Sequence, residues 1–598
     1  MKCRVKFLVQ TYLWTVIVFV MAKVVFMLFC HEGHEFAFGD VFQVVWHGIS
    51  LDLSTALYFL ILPFMLSIVS IWYWTKWLTH LLHGYFLLIS LAFALAFVAD
   101  CSLYPFWGFK LDASCLQYLD SPNEMAASVS TVYIIIRILA LVVTTIAIFG
   151  GYRNINCNLS ATSSRKLIEL VLHLISIPLI IIGIRGGLDE SATNIGQVYF
   201  SQNQFLNHSA VNPVFNFLDS IDSLDSSNIS YDFMSDAECE KITSEIFTTE
   251  SIDVDTLLNT TTPNIIIILM ESCGGEFTEL CGRTDITPNL NRLAGEGIYF
   301  TNCYANSWRT DRGTLCTYSG YPSFPTMSVM KLPAKSRNLP CLANSLRDNK
   351  GYSTHYLYGG DINFTNMRSY LIGGGFENLT WKADYSAADQ KSAEWGVRDD
   401  ITFGTLFDLA TSMSQPYLIG YSTLSSHEPW DVPIHKFDDE ILNAFYYLDQ
   451  CIGEFITKLR SSKAWNNTLV IMLPDHGINY KDYDELHPQR NHIPMIWVGG
   501  AVKAPRRIET ICNQTDLPAT LLGQLGIDHT DYYFSRDVLS RSYTHPLAVH
   551  TYNNGFSLVD STGFTVFDLN SMQTIKGSGN VNIGKAILQS ASKDLSSR

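Results

Sequence analysis

The sequence predicts two kinds of structure in one chain: an all-α membrane domain of five helices, then an α/β domain with a mainly parallel sheet flanked by helices. The first third of the 598 residues is strongly apolar, although the whole chain carries a formal charge of −16. Five stretches there are long and apolar enough to cross a bilayer, which takes about 20 residues. After residue 263, apolar runs typical of buried strands alternate with helical patterns, as in parallel α/β sheets.

The five apolar stretches define the predicted membrane domain and its orientation. They cover roughly residues 5–29, 51–74, 80–104, 129–151 and 167–186, and the first lacks the cleavage site of a signal peptide. Basic residues mark the cytoplasmic side of a membrane protein. They occur before the first stretch and in the second and fourth connections, as Lys2, Arg4, Lys6, Lys76, Arg153, Arg165 and Lys166. The opposite connections carry acidic residues, namely Glu32, Glu35, Asp40, Asp112, Asp120 and Glu124. An odd number of spans then predicts that residue 187 onward lies outside the cell.

Four ionisable residues fall within or at the start of the predicted spans: Lys23, Arg137, His47 and Asp52. An ionisable group inside a span is a candidate for function. All four lie near predicted span ends, from which long side chains reach the membrane surface. The sequence therefore favours the interfacial interpretation and leaves a functional role open.

The remaining chain is predicted as a connector, 187–262, and a catalytic domain, 263–598. The stretch from Asp219 to Glu240 is rich in Ser and Asp, which is typical of a solvated linker. The acidic balance disfavours a nucleic acid partner, which needs a basic surface. Thirteen cysteines show no CxxC or metal-finger spacing. If the later domain lies outside, disulfides become possible among Cys239, Cys273, Cys281, Cys303, Cys316, Cys341, Cys451 and Cys512, with the pairing open.

Polar residues follow the strands predicted for the α/β domain. Asn264–Met270 and the run before Pro474 are continuous apolar segments, and further strands are predicted in 416–430 and 493–500. Helical patterns cover 289–297 and 441–462. In open sheets of this kind, the site lies at the carboxyl ends of the strands.

Four places carry the predicted chemistry. Glu271 follows the first strand, Asp475 and His476 follow a later one, and Thr310 and His427 lie in polar segments. Carboxylates and an imidazole form an oxygen- and nitrogen-donor site suited to Mn²⁺, Zn²⁺ or Mg²⁺. Such an ion would make a nearby hydroxyl a usable nucleophile. Taken singly, each residue could be a cap, a turn, a surface threonine or a satisfied histidine; their coincidence favours a site.

The motifs that carry a resemblance are NIIIILMES, TDRG, SGYP, SSHEPW, PDHG and HIPMIW. In this order they resemble the lipoteichoic acid synthase and phosphoglycerol transferase family of the alkaline phosphatase/sulfatase superfamily. The likeness runs from about residue 195 to 570 and includes the five-span architecture. It implies an alkaline-phosphatase/sulfatase-like fold for the α/β domain.

The resemblance also implies roles for individual residues. One divalent ion, Mn²⁺ first and Zn²⁺ or Mg²⁺ as alternatives, would be held by Glu271, Thr310, Asp475 and His476. Thr310 would be the nucleophile and would form a phosphothreonine-type intermediate. The implied substrate-binding residues are His427, Arg368, Arg309 and His492, and Arg312 also flanks the nucleophile. The pattern departs at Thr365, where the family has a Trp, and Arg368 fits the family's Arg only with a one-residue shift; for Trp395, packing and site roles stay open.

The implied activity is transfer of a phosphoglycerol-type headgroup from a phospholipid such as phosphatidylglycerol to a glycan or glycolipid acceptor outside the cell. Alternatives are phosphoethanolamine transfer, phosphodiester hydrolysis, and a non-enzymatic membrane receptor or transporter component. A sulfatase needs a Cys or Ser in a C/S-x-P/A-x-R context, which neither Cys281 nor Cys316 offers. That departure disfavours sulfate-ester hydrolysis.

The orientation can be tested by labelling with a membrane-impermeant thiol reagent. Cysteines introduced after residue 187 should react in intact cells, whereas cysteines in 153–166 should react only after permeabilisation. Labelling of the 264–570 region only after permeabilisation would contradict the orientation that the basic residues predict.

Overall fold

The structure is a computed structural model that describes the chain except residues 1, 32–34, 108–109, 114, 117–130, 156–158, 160–164, 228–229, 248–249 and 481–485. Glu32, Asp120 and Glu124 of the sequence argument therefore lie outside the described residues. The chain forms two compact units, Met1–Ser226 and Ser227–Arg598. The predicted connector 187–262 falls partly in each.

Five long helices build most of the first unit: Lys2–Phe29 (α1), Phe38–Val69 (α2), Lys76–Trp107 (α3), Thr131–Arg153 (α4) and Lys166–Arg185 (α5). All five have the length and hydropathy of membrane spans. The five predicted spans are thus confirmed, and the protein is a membrane protein. The second span differs from its prediction because its helix begins at Phe38 rather than at residue 51.

Lys23 and Asp52 are buried inside the first unit, so the prediction that they lie at the membrane interface is wrong. Lys23 on α1 is 2% exposed, Asp52 on α2 is fully buried, and the two form an ion pair. Asn212 Nδ2 donates to the same oxygen, Asp52 Oδ1, at 2.8 Å. The physical reason is the early start of α2, which places Asp52 inside the helix, where its carboxylate needs a partner. His47 also lies inside α2, stacked on Phe200 with 4.4 Å between ring centroids.

The prediction of a solvated linker between Asp219 and Glu240 is wrong for the parts of this segment that form helices. In the first unit the chain forms Gln204–Ala210 (α6) and Pro213–Ser227 (α7), and in the second it forms Asp236–Ile246 (α8). Serine and aspartate favour helix starts, and Ser235 caps α8 by accepting from the Glu238 amide. The Cys239 thiol of α8 then packs against the last helix of the chain, 3.4 Å from the Ala586 carbonyl oxygen.

A nine-stranded mixed sheet forms the centre of the second unit. Its strands are Asn264–Met270 (β1), Ile298–Tyr304 (β2), Ser353–Tyr358 (β3), Asn378–Trp381 (β4), Tyr417–Ser422 (β5), Thr468–Pro474 (β6), His492–Val498 (β7), Arg506–Ile508 (β8) and Cys512–Asn513 (β9). The spatial order is β4-β3-β5-β1-β6-β7-β2-β8, with β9 also beside β2. Among the described strands of this sheet, only the pairings of β7, with β6 and β2, are antiparallel. The prediction of a mainly parallel sheet is confirmed.

Helices cover both faces of this sheet. They are Pro288–Glu296 (α9), Thr310–Ser319 (α10), Pro333–Ser336 (α11), Leu342–Lys350 (α12), Met367–Gly373 (α13), Asp399–Ser412 (α14), Glu440–Arg460 (α15) and Leu517–Leu525 (α16). The sequence of the central strand β1 is uniformly apolar because both faces of the strand are buried. Ile265 and Ile267 belong to the core on one face, whereas Ile266 and Ile268 belong to the core on the other.

A second, antiparallel sheet was not predicted from the sequence. It comprises Ala548–Tyr552 (β10), Gly555–Asp560 (β11), Gly563–Asp568 (β12) and Gln573–Lys576 (β13), followed by the helix Val581–Ser597 (α17). Phe556 and Leu558 of β11 and Leu588 of α17 join one of the two cores. This part therefore belongs to the same folded unit as the main sheet.

The buried ion pair of the membrane helices predicts a stability change. Lys23→Met should leave the Asp52 carboxylate without its charged partner and destabilise the protein by about 3–5 kcal/mol. Thermal unfolding in detergent would measure this. The double variant Lys23→Met/Asp52→Leu should recover most of the loss, because it removes both charges. A single variant as stable as the parent would contradict the role of the pair.

Candidate active site

Parallel strands bring the predicted metal ligands together. Glu271 directly follows β1, and Asp475 directly follows β6. The two strands are parallel neighbours in which Met270 is paired with Pro474. The residues after these two positions therefore meet at one edge of the sheet, although about two hundred residues separate them in the sequence.

The ligand atoms of Glu271, Asp475 and His476 all lie within 4.8 Å of one another. His476 Nε2 is 3.6 Å from Glu271 Oε1 and 3.6 Å from Asp475 Oδ2. All three residues are buried. We call Glu271, Asp475 and His476 the acidic cluster.

Hydrogen bonds orient the acidic cluster toward a common centre. His476 Nδ1 lies 3.0 Å from the Gly477 carbonyl oxygen, and because a carbonyl only accepts, Nδ1 carries the proton and Nε2 keeps its lone pair. Asp475 Oδ1 accepts from the Ser272 and His476 amides at 2.9 and 2.8 Å. Asp475 Oδ2 is buried and has no hydrogen-bond partner among the described residues. This arrangement is typical of a metal-binding histidine and carboxylate.

Electrostatics in the acidic cluster favour a cation. Burial and the negative charge of Glu271 raise the pKa of Asp475 to about 7. Burial opposes ionisation of Glu271 as well, but its pKa lies below the usual range, because the neighbouring imidazole rings of His476 and His427 favour the ionised carboxylate. A divalent cation would stabilise both carboxylates in the ionised form. Two carboxylates, a neutral imidazole nitrogen and an unpaired Oδ2 are donors that fit such an ion.

Thr310 presents its hydroxyl to the acidic cluster from the first residue of α10. Its Oγ1 donates to Glu271 Oε2 at 3.0 Å. The amino end of a helix also offers free amide groups and a partial positive charge to an anion. Gly313, one turn later, allows this approach, because a Cβ there would lie 2.2 Å from the Asp475 carbonyl oxygen.

The two arginines beside Thr310 point to different roles. Arg312 is buried, and its Nη1 donates to the Phe324 and Pro325 carbonyl oxygens, so it supports the loop after α10. Arg309 is exposed and packs over the Trp308 ring at 4.5 Å. None of the contacts among described residues joins either guanidinium to the acidic cluster.

His427 is held by the segment that contains Trp395. His427 Nδ1 lies 2.8 Å from the Glu428 carbonyl oxygen, and the Trp395 indole N–H donates to the same oxygen at 2.6 Å. Since that oxygen only accepts, His427 Nδ1 carries a proton and Nε2 is the atom left for a substrate. The two rings meet edge to face with centroids 5.0 Å apart. Trp395, for which the sequence left two roles open, thus contacts a predicted site residue.

A buried aspartate fixes the backbone that carries His427. The Asp399 carboxylate accepts from the Leu424 and Ser425 amides at 2.9 and 3.1 Å. Ser426 Oγ in turn donates to the Glu271 carbonyl oxygen at 2.6 Å. The loop after β5 is therefore joined directly to the end of β1, beside the acidic cluster.

Arg368 has an aromatic partner that the sequence reasoning missed. Its guanidinium lies 5.3 Å from the ring centre of Trp381, the last residue of β4. Thr365, near which the family pattern implies a Trp, adopts φ 54° and contributes no ring. The aromatic partner of Arg368 is instead Trp381, which the sequence alone does not place beside it.

Tyr358, at the end of β3, lies near enough to the acidic cluster for its pKa to be affected, and the sequence reasoning missed it. Burial raises the pKa of Tyr358, and the charges of Glu271, Asp361 and Asp475 raise it further. The phenol therefore stays protonated and can donate a hydrogen bond near the cluster. Its place at the end of β3 is the signal that could have identified it.

His492 lies at the same edge of the sheet but faces elsewhere. It begins β7, and because β7 is antiparallel its start lies level with the carboxyl ends of its neighbours. Its Nε2 lies 2.6 Å from the Thr301 carbonyl oxygen, and its ring stacks on Tyr304. It lines a surface cavity with Glu279 and Arg507. The structure thus does not bring the ring to the acidic cluster.

Comparisons with known proteins agree with the fold of the second unit. Residues 263–527 match the sulfatase family model. Lipoteichoic acid synthase 2 of Bacillus subtilis is 25% identical over 47% of this chain and 48% of its own length. Phosphoglycerol transferase I of Xanthomonas campestris is 25% identical over 46% of this chain and 43% of its own. A crystal structure of an alkaline phosphatase superfamily protein from Vibrio parahaemolyticus is 26% identical, with a TM-score of 0.54, over 62% of this chain and 98% of that one. The chain spans about half the length of the curated relatives that it matches.

The acidic cluster predicts a pH dependence that a cation should remove. The pKa of Asp475 is about 7 in the folded metal-free protein against 3.8 ordinarily, so the folded state holds an extra proton between these values. In the presence of a metal chelator, the free energy of unfolding should therefore fall as the pH rises from about 4 to 8. Saturating Mn²⁺ should flatten this part of the melting-temperature profile.

Asp475→Asn provides the matched control, because the amide cannot titrate. Other buried acids with a raised pKa, such as Glu276 at about 8, contribute equally to both proteins. The variant should show a shallower fall than the parent in chelator and no gain from Mn²⁺. Identical profiles for parent and variant would contradict the assignment.

Proposed function

We propose that this chain, whose residues 263–527 form a sulfatase domain, is a metal-dependent phosphotransferase anchored by its five membrane helices. It would move a phosphoglycerol-type headgroup from a phospholipid such as phosphatidylglycerol to a glycan or glycolipid outside the cell. The observation that carries the proposal is the Thr310 hydroxyl, 3.0 Å from Glu271 Oε2, at the amino end of α10. The names of the curated relatives support the reaction class.

One divalent ion would be held by Glu271, Thr310, Asp475 and His476. Mn²⁺ is the first candidate, and Zn²⁺ and Mg²⁺ also accept this donor set. When bound, the ion supplies Lewis acidity that makes a hydroxyl nucleophilic and stabilises negative phosphoryl oxygens.

In the first half-reaction Thr310 Oγ1 attacks the lipid phosphorus. Its proton passes to Glu271 Oε2, which already accepts it in a hydrogen bond. The bond from Thr310 to phosphorus forms while the bond from phosphorus to the diacylglycerol oxygen breaks. His427 Nε2 would contact the phosphate or protonate the departing oxygen, the kind of proton transfer for which histidine is most often used.

In the second half-reaction an acceptor hydroxyl attacks the same phosphorus. The acceptor's proton passes to His427 Nε2, the bond from phosphorus to Thr310 breaks, and Thr310 Oγ1 regains its proton from Glu271 Oε2. The amide groups at the start of α10 stabilise charge on the phosphoryl oxygens in both halves. Trp395 and the Asp399 carboxylate keep His427 in place, the former through the Glu428 carbonyl oxygen.

For the transferred headgroup, a specific observation favours a second candidate. This chain has Thr365 near the place where the family pattern implies a Trp, and Arg368 lies over Trp381 instead. A different headgroup pocket would follow, and phosphoethanolamine is the second candidate. Sulfate-ester hydrolysis has no support, because Thr310 occupies the position of the nucleophile and no formylglycine precursor is present there.

The nucleophile can be tested by mass spectrometry of the full chain in detergent. Incubation with headgroup-labelled phosphatidylglycerol or phosphatidylethanolamine should add labelled phosphoglycerol or phosphoethanolamine to Thr310, and the mass identifies the donor. Thr310→Ala should abolish turnover while the protein stays folded, because no other group performs the covalent step. Label on another hydroxyl would contradict the assignment.

Thr314→Ala is the matched control for this experiment, since Thr314 lies on the same helix, fully buried. It should retain the labelled Thr310 and most of the turnover. Release of free phosphorylated headgroup without transfer to any added acceptor would identify a phosphodiesterase instead.

His427 should act on the substrate rather than hold the ion. His427→Ala should lower turnover roughly 10²–10⁴-fold while bound metal is retained. Trp395→Phe keeps a ring beside His427 but removes the indole N–H, so it should lower turnover less and also retain the metal. Loss of the ion from His427→Ala, measured by elemental analysis, would show that His427 is a ligand.

A further inference from the structure

Two cysteines of the α/β unit lie opposite each other on neighbouring strands. Cys303 of β2 is paired with Cys512 of β9 in parallel register. Neighbouring strands are about 4.7–4.9 Å apart, and paired residues point to the same face of the sheet. A disulfide joins Cα atoms about 4.4–6.8 Å apart, so this pair is within reach. The structure records both as thiols.

The two thiols are also in contact. A hydrogen bond to Cys303, followed by burial, raises the pKa of Cys512. Both residues are 0% exposed. Other buried cysteines of the unit have different partners, since the thiols of Cys239 and Cys316 lie 3.4 and 3.6 Å from the oxygens of Ala586 and Asn306.

We propose that Cys303 and Cys512 form a disulfide in the mature protein. The proposal rests on the proposed location of this unit outside the cell, where disulfides persist. Two S–H bonds would be replaced by one S–S bond, and the two protons and two electrons would pass to the disulfide of an extracytoplasmic thiol oxidant, which becomes a dithiol. Because both residues are fully buried after folding, the exchange would take place before the sheet closes.

The bond would tie together the two segments that support the nucleophile and the acidic cluster. Directly after Cys512, Asn513 Nδ2 donates to the Tyr304 carbonyl oxygen at 2.7 Å. Asn306 Nδ2 donates back to Asn513 Oδ1 at 2.8 Å. Gln514 Nε2 donates to the Asp475 carbonyl oxygen at 3.0 Å. The cross-link would therefore hold β2, which leads to Thr310, beside the segment that supports Asp475.

A cross-link here should stabilise the unit without taking part in the chemistry. It would close a long loop, from Cys303 to Cys512, and so reduce the freedom of the unfolded chain. We expect the melting temperature to be about 5 °C lower under reducing conditions than under oxidising conditions.

The test is disulfide mapping of the full chain, purified from membranes after alkylation of free thiols under denaturing conditions. The expected result is one cross-linked peptide pair containing Cys303 and Cys512, which disappears on reduction. Cys303→Ser/Cys512→Ser should melt lower and lose its response to reductant. Cys341→Ser, a buried cysteine outside the pair, should respond to reductant as the parent does.

The possible outcomes distinguish a failure of the disulfide proposal from a failure of the proposed function. Complete alkylation of both cysteines in protein whose α/β unit labels from outside would overturn the disulfide and leave the transferase intact. A mapped disulfide in protein that never labels Thr310 would support the cross-link and contradict the transferase.

Discussion

The site depends on two carboxylates that are buried side by side where β1 and β6 end. Glu271 and Asp475 are both 5% exposed or less, and the negative charge of Glu271 makes ionisation of Asp475 harder. Such a pair is costly in a folded protein unless a cation or a proton compensates it. The surrounding structure supplies the means: His476 turns its lone pair inward, and Asp475 Oδ2 is left without a protein partner among the described residues.

The elements around the acidic cluster are fixed by backbone contacts rather than by long side chains. Gly313 lets α10 approach the Asp475 backbone, so that Thr310 reaches Glu271. The Asp399 carboxylate binds two amides of the loop that carries His427. Gln514 supports the Asp475 carbonyl oxygen by a hydrogen bond. In the proposed two-step mechanism, the nucleophile, the ligands and the proton donor have to keep their spacing, and these contacts favour that.

The sequence could predict that the residues at the ends of neighbouring parallel strands lie close together. Glu271, Asp475 and His476 each come directly after a continuous apolar run, and parallel pairing of the two strands was enough to join them. Lys23 and Asp52 were misplaced, because apolarity does not reveal where the helix begins, and α2 starts at Phe38. Trp381 and the Cys303–Cys512 pair could not be predicted, since both depend on which strands are neighbours. The antiparallel sheet from β10 to β13 has too little periodic pattern to be separated from loops by sequence alone.

In the proposed function, the acidic cluster and Thr310 together hold one divalent ion. Anomalous diffraction from crystals of the full chain grown with Mn²⁺ tests it most directly. We expect one anomalous peak at this edge of the sheet, with Glu271, Thr310, Asp475 and His476 as its protein ligands. A fully loaded protein with no peak there, or with a peak bound by other residues, would contradict the proposed metal site.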